Sequence, residues 1–249
     1  MIYASARKLA DIAELERDGC RVLQLDVTDE SSMATAVAAV EAEHGSVYTL
    51  VNNAGYGEYG TVEEVPMERV RAEFETNVFG LSRMCQLVLP AMRAAKRGRI
   101  VNISSMGGRF TFPVGGYYHA SKYAVEAISD ALRYEVRPFG ISVSVLEPGL
   151  IQTGFGTTAA QTLGRSGNAA GPYAGLRKTV DESMAQSYTN KLMAVPADAV
   201  AAVIEKAVGA HRPRARYVVT PAARGLIAIR RTLPDRAWDM FLRQQFRQN

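Results

Sequence analysis

Six short apolar runs set the strongest limit on how this chain can fold. They lie at residues 2–4, 22–25, 47–51, 99–103, 141–146 and 216–219. Several are apolar almost without interruption, as strands covered on both faces of a parallel sheet are. Between them, apolar residues recur at helical spacing. Met33, Val37 and Val40 form one such stripe. Phe74, Val78, Leu81, Cys85, Val88 and Met92 form a second, and Val125, Ile128, Leu132 and Val136 a third. Strand–helix alternation of this kind predicts an α/β chain, a Rossmann-like doubly wound parallel sheet with helices on both faces. With 249 residues, 47% hydrophobic and 22% charged, and with no repeat or low-complexity linker, residues 1–249 read as a single domain.

Two regions depart from the alternation. Between Gly149 and Pro196 no strand is evident, and Gly154, Gly156, Gly164, Gly167, Gly171 and Gly175 are scattered among apolar residues. A long segment of that composition following a strand reads as a substrate lid over about residues 150–195. Residues 222–249 read as a C-terminal helical extension, with Leu226, Ile227, Ile229, Trp238, Phe241 and Leu242 set among arginines. That extension could cap a cleft, rest on a membrane surface or pack on a neighbouring chain.

The net charge is +4, with Arg212, Arg214, Arg216, Arg224, Arg230, Arg231, Arg236, Arg243 and Arg247 concentrated late. A solvated basic face is the favoured reading, ahead of a patch for acidic lipid. No aromatic-interleaved module argues for nucleic acid. No stretch reaches the roughly 18 apolar residues of a membrane span, and the first residues lack the pattern of a signal peptide. Cys20 and Cys85 read as buried free thiols, which points to a reducing, cytoplasmic setting. No metal site is expected.

The chemistry gathers around Tyr118-His119-Ala120-Ser121-Lys122, with Ser105 upstream and Asn77 further back. On a helix, Tyr118 and Lys122 share one face, a turn apart. A phenol titrates near ~10 and is a poor base at neutral pH. A fixed ammonium beside it favours the phenolate, so the pair predicts a lowered Tyr118 pKa. The Ser105 hydroxyl could then hold a substrate oxygen in line with the phenol.

Four motifs in order carry a family resemblance. They are Asn52-Asn53-Ala54-Gly55 at one strand end, Ile103-Ser104-Ser105 at another, Tyr118-xxx-Lys122, and Pro148-Gly149 followed by Thr153. The chain resembles the short-chain dehydrogenase/reductase family. Ser105-Met106-Gly107-Gly108 and the segment from Arg216 to Phe246 are similar to the branch of 17β-hydroxysteroid dehydrogenases. The resemblance implies an oxidoreductase that moves a hydride between a nicotinamide cofactor and a secondary alcohol or ketone. Tyr118 would be the general acid/base, and Lys122 would tune it and bond the nicotinamide ribose. Ser105 would hold the substrate oxygen, and Asn77 would anchor a water relaying protons to Lys122. Asp26 and Val27 would flank the adenine, and Asn53, Ala54 and Gly55 would line the cofactor. Pro148, Gly149, Ile151 and Thr153 would flank the nicotinamide. Arg7 stands where NAD-preferring relatives place an acid, and a guanidinium suits a ribose 2′-phosphate. NADP(H) is therefore favoured and NAD(H) is the alternative.

One element of the family pattern is missing. A strand and glycine-rich turn, T-G-x-x-x-G-x-G, should meet the cofactor's pyrophosphate, and no such run occurs. The expectation is a chain shortened at its N-terminus by one strand–turn–helix unit, with a weakened hold on NADP(H). The lost strand would be central and would separate the run at residue 2 from that at residue 47. A non-catalytic Rossmann-like binding or regulatory protein, or an inactive fragment, is the alternative reading. A lipophilic small-molecule alcohol or ketone is the expected substrate. The stripe from Phe74 to Met92 and the helix from Tyr118 onward correspond to helices that pair between subunits in the family, so the resemblance also implies a homodimer or homotetramer.

Overall fold

The protein is described here from a computed structural model, over residues 1–190 and 193–246. The expected alternation is present. Strands β1 (Tyr3–Ala6), β2 (Arg21–Gln24), β3 (Thr49–Asn52), β4 (Gly98–Ile103) and β5 (Ile141–Glu147) fall on five of the six predicted runs. Helices α1 (Glu30–His44), α2 (Met67–Phe74), α3 (Leu81–Ala94) and α4 (Gly116–Val136) lie between or beside them. Helix α1 starts where the Asp29 carboxylate accepts from the Ser31 and Ser32 amides at 2.8 and 3.1 Å, supplying acceptors to otherwise orphaned donors.

Pairing is parallel throughout the central strands. The four-stranded order is β3-β4-β5-β8, with β8 at Arg216–Val218. Alternation of side chains across each strand explains the two-sided core. Ile100 and Val143 face the α3/α4 layer with Met84, Val88, Met92, Val125 and Leu132. Their neighbours Val101 and Leu146 face the other way, onto Ala207 and Tyr217. Ala207 belongs to a helix at Ala197–Gly209, α7 in chain order.

Strands β1 and β2 pair with each other as a separate two-stranded ladder that shares no ladder hydrogen bond with β3. Neither contains a fully buried residue, whereas four of the six β4 residues are buried.

The segment after Gly149 is more ordered than its sequence suggests. It holds β6 (Leu150–Gln152), α5 (Gly154–Gly164), α6 (Ala174–Thr189) and β7 (Ala194–Pro196), with β6 and β7 paired in parallel. The expectation of a strandless stretch is corrected. Three-residue strands carry too little pattern to read, and some of the glycines act in packing while Gly154, Gly164 and Gly175 face open space. A Cβ on Gly156 would lie 3.0 Å from the Tyr188 ring, so the glycine lets α5 and α6 approach. At the C-terminus, α8 (Pro221–Thr232) and α9 (Asp235–Gln245) follow. Trp238 of α9 meets Phe110 at 5.6 Å and stacks on Phe112 at 6.3 Å, so this extension covers the loop between Ser105 and Tyr118. Arg247 lies outside the described residues. Cys85 is buried as expected, but Cys20 is only half-buried, since it ends the exposed connection from β1 to β2.

Candidate active site

The site gathers at the carboxyl ends of β3, β4 and β5, where open α/β sheets place their ligands. Tyr118 and Lys122 stand in the first two turns of α4 and both are buried. Lys122 Nζ donates to the Ile103 carbonyl at the end of β4, at 2.9 Å. Ser105 follows that strand end, and its Oγ accepts from the Gly107 amide at 3.0 Å. With one lone pair used in this way, the Ser105 hydroxyl keeps its own proton available for donation.

Asn77 enters from a π-helical turn, Glu75–Gly80, that joins α2 to α3. Such bulges re-aim a side chain out of the regular helical ladder and recur at functional sites. Its Oδ1 accepts from the Tyr56 amide at 3.1 Å, and its Nδ2 donates to the Tyr56 carbonyl at 2.8 Å and to Ser121 Oγ at 3.0 Å. Ser121 Oγ in turn donates to the Tyr118 carbonyl at 2.8 Å. One buried amide thus ties the loop after β3 to the first turn of α4. Both of its N–H groups are used, so any further partner falls to Oδ1.

The Tyr118 ring is walled in by Phe155 at 5.4 Å, Tyr59 at 5.6 Å and His119 at 5.7 Å. Burial pushes its pKa upward, opposed by the Ser105 hydroxyl. This corrects the expectation of a lowered phenol. In a dry aromatic enclosure the cost of creating a phenolate outweighs the help that Lys122 was expected to give. Burial also draws Lys122 down to about 8, against the opposing pull of Glu73 and Glu126.

The cofactor candidates follow the ends of four strands, with Ile151 and Thr153 just beyond the last of them. Asn53, Ala54 and Gly55 are exposed just past β3. A Cβ on Gly55 would lie 2.9 Å from Asn77 Oδ1 and 3.5 Å from Lys122 Nζ. That open cradle, facing an ammonium and an amide oxygen, fits the hydroxyls of a ribose. Asp26 follows β2, and its Oδ1 accepts from the Thr28 amide at 2.9 Å and hydroxyl at 2.7 Å, with Val27 half-buried beside it. Arg7 is exposed past β1, close enough for its charge to help hold the Asp26 carboxyl low. Pro148 and Gly149 follow β5, and the Pro148 carbonyl accepts from Met106 at 2.8 Å, binding this end to the Ser105 loop. Ile151 lies in β6, and Thr153 caps α5 by accepting from the Phe155 amide. A cavity of about 490 Å³ opens beside Thr153, between α5 and α6, lined by Gly156, Ala160, Met184, Ala185 and Tyr188. The Gly55 cradle suits the ribose next to the nicotinamide, and the exposed Arg7 guanidinium carries charge suited to a ribose 2′-phosphate.

Several residues escaped the sequence reading. Glu73, fully buried one turn before Asn77, accepts from the Glu58 amide at 2.9 Å, and burial pushes its carboxyl up to about 8. Glu58 is buried too and pairs with Arg69, which also donates to the Thr162 and Arg165 carbonyls at the end of α5. Asn52, Asn102 and Ser129 form a buried polar ladder across β3, β4 and α4. The four-residue spacing of Glu73 and Asn77 was the one available signal, since it puts both on one helical face. Nothing in the sequence marks the Glu58–Arg69 pair.

Residues 3–164 match the family model for short chain dehydrogenase. A 3-ketodihydrosphingosine reductase from Bacteroides thetaiotaomicron is 44% identical over 156 residues, 62% of this chain; the match spans only 56% of that relative's length. An NADPH-dependent 3-dehydrocapnine reductase from Ornithobacterium rhinotracheale is 34% identical over 96% of this chain and 86% of its own. A probable short-chain type dehydrogenase/reductase, VdlC, from Helicobacter pylori is 31% identical over 97% and 87%. Among solved structures, a short-chain dehydrogenase from Streptomyces avermitilis superposes with a TM-score of 0.77 at 29% identity, covering 98% of this chain and 87% of that one. The closed form of a serine dehydrogenase complexed with NADP+ gives 0.74 at 25% identity, covering 88% and 84%. With its strand ends, parallel sheet and these matches, the chain belongs to the short-chain dehydrogenase/reductase family of oxidoreductases, acting on CH–OH groups.

Proposed function

We propose that this protein reduces a lipophilic ketone to a secondary alcohol with NADPH, Tyr118 supplying the proton. The observation that carries this reading is the buried Tyr118 phenol hydrogen-bonded to Ser105, with buried Lys122 one turn along the same helix and facing the open Gly55 cradle. The cofactor, when bound, supplies the hydride. Ser105 donates its hydroxyl proton as a hydrogen bond to the ketone oxygen, its lone pair already held by Gly107. Tyr118, kept protonated through neutral pH by its dry surroundings, gives its proton to that oxygen. Lys122 holds the ribose and places positive charge near the phenolate that results. Asn77 keeps the Gly55 loop and the Tyr118 helix in register, and its free Oδ1 lone pair is the place for a relay water.

The preference for NADPH rests on Arg7 and on the NADP-bound relatives. Two relatives are named as reductases of a 3-keto or 3-dehydro compound. Together with the largely apolar cavity beside Thr153, they favour a ketone carried on an apolar chain, with α5 and α6 as its lid. Phe155 and Tyr59 cover Tyr118, so the lid must open to admit substrate. The steroid-dehydrogenase-like branch remains our reading of the C-terminal segment.

The test is NADPH oxidation across a panel of lipophilic ketones, at saturating cofactor, with the chain and its Tyr118→Phe variant. Loss of about 10²–10⁴-fold in kcat is expected for the variant. Unchanged turnover would remove Tyr118 from the chemistry, and no NADPH oxidation by either form across the panel would favour the non-catalytic reading.

A further inference from the structure

His119 follows Tyr118 directly, and it is buried with both ring nitrogens engaged. The Phe112 amide points at Nε2 at 3.2 Å. A backbone N–H can only donate, so Nε2 must be the bare nitrogen. The ring proton therefore sits on Nδ1, where it donates to the Gly107 carbonyl at 3.0 Å. Gly107 is also the residue whose amide donates to Ser105 Oγ at 3.0 Å. The imidazole thus reaches from the first turn of α4 to the loop that fixes Ser105.

The surroundings fit the ring closely. A Cβ on Gly107 would come within 2.5 Å of Nδ1, and one on Gly115 within 2.9 Å of Nε2. Both glycines leave room for the imidazole. The Phe112 ring meets it edge-on at 6.2 Å. Just beyond Phe112, Val114 adopts φ +69°, a costly left-handed conformation for a β-branched residue. The Val114 carbonyl accepts from Gly60 at 2.7 Å, and His119 holds the same loop two residues earlier. The loop between Ser105 and Tyr118 is thereby held in a shape it would not adopt alone.

We infer that His119 is a positioning residue, a neutral brace that fixes the Ser105 loop against the helix carrying Tyr118 and so sets how the hydroxyl and the phenol meet. This rests on the reading of Ser105 and Tyr118 proposed above. His119 itself need not touch substrate or cofactor. Protonation would put a second proton on Nε2 and break the Phe112 bond. Burial opposes it, drawing the imidazole down to about 4, and the only counter-pull is the Gly107 carbonyl. Among the described residues, the Tyr118 ring lies 5.7 Å from it and the Tyr59 ring beside the same Gly115, and both phenols are pushed up and stay neutral.

The test has two readouts. In imidazole ¹H–¹⁵N spectra of the intact chain, His119 should show a protected Nδ1–H and a bare Nε2, with no titration from about pH 5.5 to 8. An Nε2–H tautomer, or titration near the ordinary ~6.5, overturns the brace. In steady-state kinetics with NADPH and a responsive ketone, His119→Phe keeps a ring and loses both bonds. Its kcat should fall about 10²-fold, as expected of a displaced reacting group, with KM for NADPH within about twofold. His119→Asn, whose amide can reach Gly107, should recover most of that loss. Should His119→Phe fail to fold, Gly107→Ala displaces the ring from the other side and should produce the same fall in kcat. Wild-type kcat in a folded His119→Phe or in Gly107→Ala contradicts the inference. If Tyr118→Phe also keeps full turnover, the reading of the site fails instead, and the spectra still report on the brace.

Discussion

Glu73 shows how far a single buried side chain can govern this site's response to pH. Its carboxyl holds its proton to about pH 8 in the folded chain but releases it near 4.5 when unfolded. The folded state therefore binds the extra proton between those values, and stability falls as pH rises through that window. Glu73→Gln should remove that slope, so the variant's melting temperature should gain on wild type from pH 5 to 8. His119 acts in the opposite sense. Its pKa falls from 6.5 to about 4 on folding, so its contribution is complete above pH 6.5 and is lost as pH falls toward 4. His119→Phe should flatten the acid limb of the stability curve, read by thermal melts between pH 4 and 6.5. The site was legible in the sequence where chemistry and spacing coincide, as at Ser105, Tyr118 and Lys122. Glu73, Glu58 and His119 were not, because their roles depend on burial and on backbone partners distant in sequence. The direction of the Tyr118 shift failed for the same reason, since a sequence shows the ammonium four residues away but not the aromatic enclosure.

At the scale of elements, the long stripes were readable and the short pieces were not. The stripe from Phe74 to Met92 crosses a π-turn at Glu75–Gly80, a break in the α-helical ladder that spacing alone does not show. The segment after Gly149 hides two helices behind scattered glycines, of which Gly156 lets them approach. Its attachment to the body of the protein is chemical as well as apolar. Arg69 caps the carbonyl end of α5 while its charge answers the buried Glu58, and Thr162 Oγ1 bonds the Gly57 carbonyl at 3.0 Å. Arg69→Met strands Glu58 without its cation and should cost about 3–5 kcal/mol in urea unfolding. The double change Glu58→Leu with Arg69→Met should recover much of that loss, because no uncompensated charge remains. A single-variant cost under about 1 kcal/mol would mean that the pair does not hold the lid.

For the molecule as a whole, the sheet divides into a deep part and a shallow part. Strands β4 and β5 are covered on both faces, while β1 and β2 form a ladder only with each other, lean on Glu43 and His44 of α1 and expose part of both strands. Amide exchange should follow that division, with Tyr3–Ala6 and Arg21–Gln24 opening well below the global unfolding free energy and Ile141–Glu147 only near it. Equal protection of both ladders would contradict the division. Among the described residues, no helix is long and apolar enough to cross a membrane. The central claim concerns hydride transfer beside Tyr118, and isotope tracing tests it most directly. The chain is incubated with a responsive ketone and NADPH deuterated at the nicotinamide carbon that gives up hydride. The account predicts an alcohol with deuterium on its carbinol carbon, formed by wild type and reduced about 10²–10⁴-fold in Tyr118→Phe. Alcohol formed without that deuterium, or formed equally by the variant, would contradict it.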